Sequence, residues 1–162
     1  MSDSGKARLD GIHHLKFPVS DLAVSLKWWE RALGAERQPK WDHFTPDGRL
    51  FAYILHVPGI DIPIELRLAP EAAAAVSGFD PVTLAVATET DLKNWAARLD
   101  AAQVPHSPVL RGLLGWLLAL HDPDGLAIRL HTRETHGWDA DNADLDSPWL
   151  QRGSATRPET RP

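Results

Sequence analysis

Two stretches of the chain follow one plan, in which apolar and polar residues alternate with period two and then give way to a helical stripe. In 12–20 (IHHLKFPVS) the apolar residues Leu15, Phe17 and Val19 alternate, which predicts a strand. Ser20-Asp21 offers an N-cap, and Leu22, Leu26, Trp29 and Leu33 recur at helical spacing as far as Gly34, a helix stop. From Pro81 the plan repeats. Val82, Leu84 and Val86 alternate, Thr88 or Thr90 can cap, and Leu92, Trp95 and Leu99 form a second stripe. The copies lie about 66–67 residues apart, and repetition at a fixed spacing marks duplicated structural units.

Each copy continues into a strand pair. Residues 49–57 and 62–69 read as strands joined around Pro58-Gly59, and 115–121 and 126–132 as strands joined by Asp122-Pro123-Asp124-Gly125. The second linker is a strong turn signal, because proline presets φ at the second turn position and glycine tolerates positive φ. Weaker strands are predicted near 36–41 and 106–110, and a short connecting helix over Glu71–Val76. Each half is then strand–helix–strand–strand–strand. Residues 134–162 lack this periodicity. The last dozen read as a flexible tail, and Trp138 and Trp149 are candidates for anchoring the earlier part onto the body.

In a sheet covered by helices on one side, the apolar residues of each strand pack beneath them and the alternate residues face away. Those alternate positions are His14 and Lys16 in the first strand, with His13, next to His14, expected to point the other way, and Glu65 and Arg67 in 62–69. In the second copy they are Pro81, Thr83 and Ala85, then Arg129 and His131 in the last strand. His14, Glu65, Arg129 and His131 are thus the candidate ligand-binding residues, a polar floor for a small-molecule pocket. A solvated polar face would carry the same pattern.

Composition narrows the chemistry. The chain has 162 residues, 43% apolar and 24% charged, in the range of a folded domain. Lys plus Arg number 17 against 22 Asp plus Glu, a formal charge of −5, which argues against nucleic acid as the main partner. The absence of Cys excludes disulfides, thiolate metal sites and a cysteine nucleophile. No apolar run is long enough to span a membrane, and MSDSGKARLDG lacks the apolar stretch of a secretory signal, so a cytoplasmic location is expected. Seven Trp stand against one Tyr. Trp28, Trp41 and Trp116 are candidate walls for stacking on a flat ligand.

The run from His14 to Leu22 (HLKFPVSDL), followed by Ser25, the pair Trp28-Trp29 and Leu33-Gly34, resembles the opening of the vicinal oxygen chelate superfamily. That group includes glyoxalase I, extradiol dioxygenases, fosfomycin-resistance transferases and bleomycin-binding proteins. The turn Asp122–Gly125 before the last strand is a second mark of it, and the resemblance covers about residues 10–133. It implies an α+β fold of two tandem βαβββ modules, about 10–70 and about 80–133, forming a cupped mixed sheet with helices on the outer face. Residues 10–133 are expected to be a single domain and 134–162 a C-terminal extension.

The metal enzymes of the superfamily take ligands from a His in the first strand, a Glu in the fourth, a His in the fifth and a Glu in the eighth. By position these fall on His14, Glu65, Pro81 and Arg129. Proline has no ligating side chain, and arginine is a permanent cation. Two ligands remain, fewer than the three protein ligands of a catalytic zinc site. Arg129 would repel the ion and could pair with Glu65. No cofactor is therefore expected; a divalent metal on His14, Glu65 and His131 is the alternative.

The leading expectation is a protein that binds a small organic, aromatic or partly charged ligand without a metal, as bleomycin-binding members do. The alternative is a lyase, isomerase or dioxygenase working with a reduced metal site or none. A third reading is a cup closed by a Glu65–Arg129 ion pair. The resemblance also implies a homodimer.

Overall fold

The computed structural model describes residues 6–150. β1 (Leu15–Val19) leads into α1 (Leu22–Leu33), β2 (Glu36–Arg37), a single 3-10 turn at Pro39–Trp41, β3 (His43–Phe44), β4 (Leu50–Val57) and β5 (Ile60–Leu68). α2 (Pro70–Ala75) connects to β6 (Val82–Val86), α3 (Glu89–Ala101), β7 (Leu110–Arg111), β8 (Trp116–His121) and β9 (Ala127–Thr132). Each module builds its own mixed sheet. The first has the order β1-β5-β4-β2 with β3 also on β4, and the second the order β6-β9-β8-β7. In both, the first strand runs parallel to the last, and the last pairs antiparallel with the strand before it. This is the expected α+β architecture of two βαβββ units.

Local chemistry explains the elements. Asp21 caps α1, its carboxylate accepting from the Val24 N–H at 2.9 Å. Gly34 ends the helix with φ 68°, where its N–H reaches the Glu30 carbonyl at 3.0 Å. Thr88 opens α3 with a reciprocal capping box to Asp91. The turn Asp122–Gly125 is tied internally by Asp122, whose Oδ1 accepts from the Asp124 and Leu126 N–H groups, each at 2.9 Å. Asp124 Oδ2 in turn accepts from the Ser20 N–H at 2.9 Å, linking the last hairpin to the start of α1.

The weaker strands are shorter than expected. Proline cannot donate to a ladder, and Pro39 turns the 36–41 segment into a 3-10 turn after two strand residues. Pro105 and Pro108 leave only a single bridge from His106 to Leu120 before β7.

The helix-facing sides of both sheets share one apolar core. Phe17, Val19, Leu55, Ile64 and Leu66 meet Trp28, Trp29 and Leu33 of α1, and Leu118, Leu120, Ile128 and Leu130 meet Leu92 and Leu99 of α3. The opposite face of the second sheet is covered too. Residues 134–150 return across it, so that Leu150, 7% exposed, packs on Leu110, Leu117 and Ala119. Trp149 stacks on His121 at 5.4 Å and 18°. Arg111 helps hold this segment, donating from Nη2 to Asp139 at 2.9 Å and from its backbone N–H to Asp144 at 2.7 Å. Trp149 therefore anchors the segment, whereas Trp138 is 70% exposed. The flexible tail expected for the last dozen residues lies outside the described residues.

Candidate functional site

The face of the first sheet turned away from its helix carries a charged cluster at the end of an apolar cavity. Strand register puts Lys16 of β1 and Ile54 of β4 on either side of Glu65 of β5, and residues paired this way present their side chains on one face. Glu65 is 1% exposed. A carboxylate so buried needs compensation, and Arg67, two residues along the same strand, supplies it. Its Nε and Nη2 donate to Oε1 at 2.7 and 2.6 Å. Three further cationic or ionisable groups surround the carboxylate without direct hydrogen bonds. His14 Nε2 and Lys16 Nζ lie 3.7 and 3.8 Å from Oε2, and His43 Nδ1 lies 3.8 Å from Oε1.

The cavity beside this cluster has a volume of about 390 Å³ and is lined by His13, His14, Trp41, His43, Ile54, Pro63 and Glu65. Trp41 and His43 come from the segment between β2 and β4. That segment is braced by Arg37, whose guanidinium pairs with Asp42 and stacks 3.9 Å over the Tyr53 ring. His13 and His14 precede β1, so strand alternation does not separate them. Their Nδ1 atoms are 2.9 Å apart, the rings are edge-to-face, and both line the cavity. This corrects the expectation, drawn from strand alternation, that the two side chains diverge.

The second module holds the matching corners. Val82 pairs with Ile128 as Leu15 pairs with Ile64, so Pro81 and Arg129 occupy the positions of His14 and Glu65. Arg129 does not reach Glu65. Its Nε lies 2.9 Å from Asp80 Oδ2, and the cup is not closed by a Glu65–Arg129 pair. His131 donates from Nδ1 to the Thr132 carbonyl at 2.8 Å and lines a separate cavity with Thr83, Leu114 and Glu134. Of the four candidate residues, the chain thus brings His14 and Glu65 together and holds Arg129 and His131 on the other sheet. Among the candidate walls only Trp41 borders the first cavity. Trp28 is in the core against Trp29, and Trp116 packs edge-to-face on His136 at 5.0 Å.

These residues do not fit a divalent metal. Arg67 occupies Oε1 of the one carboxylate, Lys16 adds a second cation, and Pro81 and Arg129 stand at the remaining corners. Among the described residues, no group of three or more His, Cys, Asp or Glu side chains is placed to hold an ion. His43, Ile54 and Pro63 escaped sequence reasoning; the aromatic-rich run Trp41-Asp42-His43-Phe44 was the one available signal for the first of them.

A family model described as the glyoxalase/bleomycin resistance protein/dioxygenase superfamily matches residues 11–130. No curated protein matches the chain. Among solved structures, TnmS3, an antibiotic binding protein from Streptomyces sp. CB03234, superposes with a TM-score of 0.62 at 20% identity, covering 80% of this chain and 100% of that one. A lactoylglutathione lyase from Agrobacterium tumefaciens gives 0.60 at 14% identity, over 82% and 100%. A fosfomycin resistance protein, FosX, from Listeria monocytogenes in complex with Mn(II) and a dihydroxypropylphosphonic acid gives 0.57 at 15% identity, over 76% and 90%. At these identities the likeness is one of fold. Among the described residues no helix is long and apolar enough to cross a membrane.

Proposed function

The chain belongs to the glyoxalase/bleomycin resistance protein/dioxygenase superfamily, and within it we propose that this protein binds a small aromatic molecule in the cup of its first module without a divalent metal. The observation that carries this reading is the 390 Å³ cavity, walled by Trp41, Ile54 and Pro63, whose one carboxylate is already neutralised by Arg67. Cavities of this size with a few convergent polar groups suit compounds of one or two rings. Arg67 already engages Glu65 Oε1, which supports ligand binding over both metal coordination and general-base catalysis. The antibiotic-binding neighbour from Streptomyces supports the reading by fold. A homodimer is part of the proposal, checked by sedimentation.

The experiment is a titration with naphthalene-sized aromatic compounds followed by tryptophan fluorescence, in EDTA and again with Mn(II), Fe(II) or Zn(II). Binding should persist in EDTA and weaken at least tenfold in Trp41→Ala. Binding that requires a metal would overturn the proposal in favour of a metal-dependent enzyme.

A further inference from the structure

We infer that the ligand of the first-module cup carries a single negative charge beside its aromatic ring, as an aryl carboxylate does, and that Lys16 is the residue selecting it. This rests on the reading of the cup as an aromatic-binding site. Charge counting comes first. Within 4 Å of the Glu65 carboxylate stand two permanent cations, Lys16 and Arg67, so the cluster carries +1 with every imidazole neutral. This positive spot lies on a chain of net charge −5, and a local potential of one sign at the end of a low-dielectric cavity attracts the opposite charge.

The geometry then separates the two cations. Arg67 spends its Nε and one terminal nitrogen on Glu65 at hydrogen-bond distance. Lys16 is 3.8 Å from Oε2 and its side chain is 47% exposed, so its three N–H donors are not consumed by that carboxylate. His14 Nε2, at 3.7 Å from the same oxygen, is likewise available to a ligand oxygen. An anion placed between Lys16 and His14, with its ring against Trp41 and Pro63, would complete both donors and bring the cluster to neutrality. A cation would meet Lys16 and Arg67. A dianion would leave one uncompensated negative charge next to the buried Glu65.

The test measures calorimetric affinities of naphthoate, naphthamide and naphthyl phosphate for the full-length protein and for Lys16→Met and Lys16→Arg. The methionine keeps the apolar stem, and an exposed position tolerates it. Naphthoate should bind roughly tenfold tighter than naphthamide, a preference near 1.4 kcal/mol. That preference should shrink in high salt, vanish in Lys16→Met mainly through lost naphthoate affinity, and survive in Lys16→Arg. Equal affinity for naphthoate and naphthamide, or tighter binding of naphthyl phosphate, overturns this inference and leaves the cup reading standing. Failure of all three compounds to bind at millimolar concentration overturns the cup reading itself.

Discussion

The two modules present equivalent faces of two separate sheets, and they finish them in opposite ways. In the first, Glu65 and Ile54 line an open cavity, and its polar end is a buried carboxylate that Arg67 holds and Lys16 approaches. In the second, the matching face carries Leu110, Leu117 and Ala119 beside Arg129 and His131. The chain's own C-terminal segment lies over its apolar part through Trp149 and Leu150. A duplicated fold thus supplies two concave faces. One is completed by charge and left accessible; the other is completed by apolar burial. The difference arises from a few register positions, since Glu65 against Arg129 and Ile54 against Ala119 are equivalent places in the two ladders.

The comparison breaks most severely at the Glu65 clamp. Arg67→Met leaves a carboxylate that is 1% exposed without its guanidinium. Removing one partner of a fully buried pair costs about 3–5 kcal/mol; Arg67 itself is 39% exposed and Lys16 stays near the carboxylate, so a loss of roughly 2 kcal/mol is expected in urea unfolding. The double variant Glu65→Gln with Arg67→Met should recover most of it, because no buried charge is then left unpaired. Arg129→Met in the second module removes a pair whose partners are each 24% exposed, and a loss of about 1 kcal/mol or less is expected. Similar losses at the two arginines would show that the modules are not differently built.

Next in size is the covered face. Leu150 is 7% exposed among Leu110, Leu117 and Ala119, so Leu150→Ala should cost about 2 kcal/mol, at the low end for a buried leucine because the site lies at the margin of the fold. Ligand affinity in the first cup should not change. A weakened first cup in this variant would mean that the two faces act as one site. Smaller again is Arg37→Met. Loss of its contacts to Asp42 and Tyr53 should loosen the segment bearing Trp41 and His43. Stability should fall by about 1 kcal/mol, while aromatic affinity drops several-fold in the same fluorescence titration.

What could be read from the sequence follows this division. The period-two runs around Phe17, Ile64, Leu84 and Ile128 and the stripes through Trp29 and Leu99 specify both modules, because each pattern buries one face locally. The same alternation placed Glu65 and Arg67 on the free face. It could not say that Arg67 rather than Arg129 meets Glu65, since repetition equates positions within modules and is silent on how the modules sit in space. His13 departs from the alternation because it lies outside the strand where alternation holds. His43 and the C-terminal cover were hidden for a similar reason. Their segments, 37–44 and 134–150, are held by irregularly spaced contacts such as Arg37–Asp42 and Arg111–Asp139, which leave no periodic trace.

The finest distinction is one of pH, and it lies at the edge of the covered face. His121 sits beneath Trp149, and burial pushes its pKa below the ordinary 6.5. Its neighbour Asp122 is buried in the hairpin turn, and burial pushes its pKa up to about 6, against the hydrogen bonds from Leu126 and Asp124 that pull it down. The two act with opposite sign. For the histidine, the unfolded chain binds the proton more readily, so stability present above pH 6.5 is lost as pH falls below it. For the aspartate, the folded chain holds the proton more tightly, so stability falls as pH rises from about 4 to about 6 and stays lower above that. Trp149→Ala should relieve the burial of His121 and remove its share of the stability lost as pH falls below 6.5. Asp122→Asn keeps an oxygen for the Leu126 and Asp124 N–H groups and cannot ionise, so it should gain roughly 2 kcal/mol at pH 7.5 relative to pH 4. Thermal melts across pH 4–8 separate the two. An Asp122→Asn profile parallel to that of the natural protein would mean the carboxyl is not held protonated by its turn. An unchanged profile in Trp149→Ala would mean that the C-terminal cover does not govern the charge of His121.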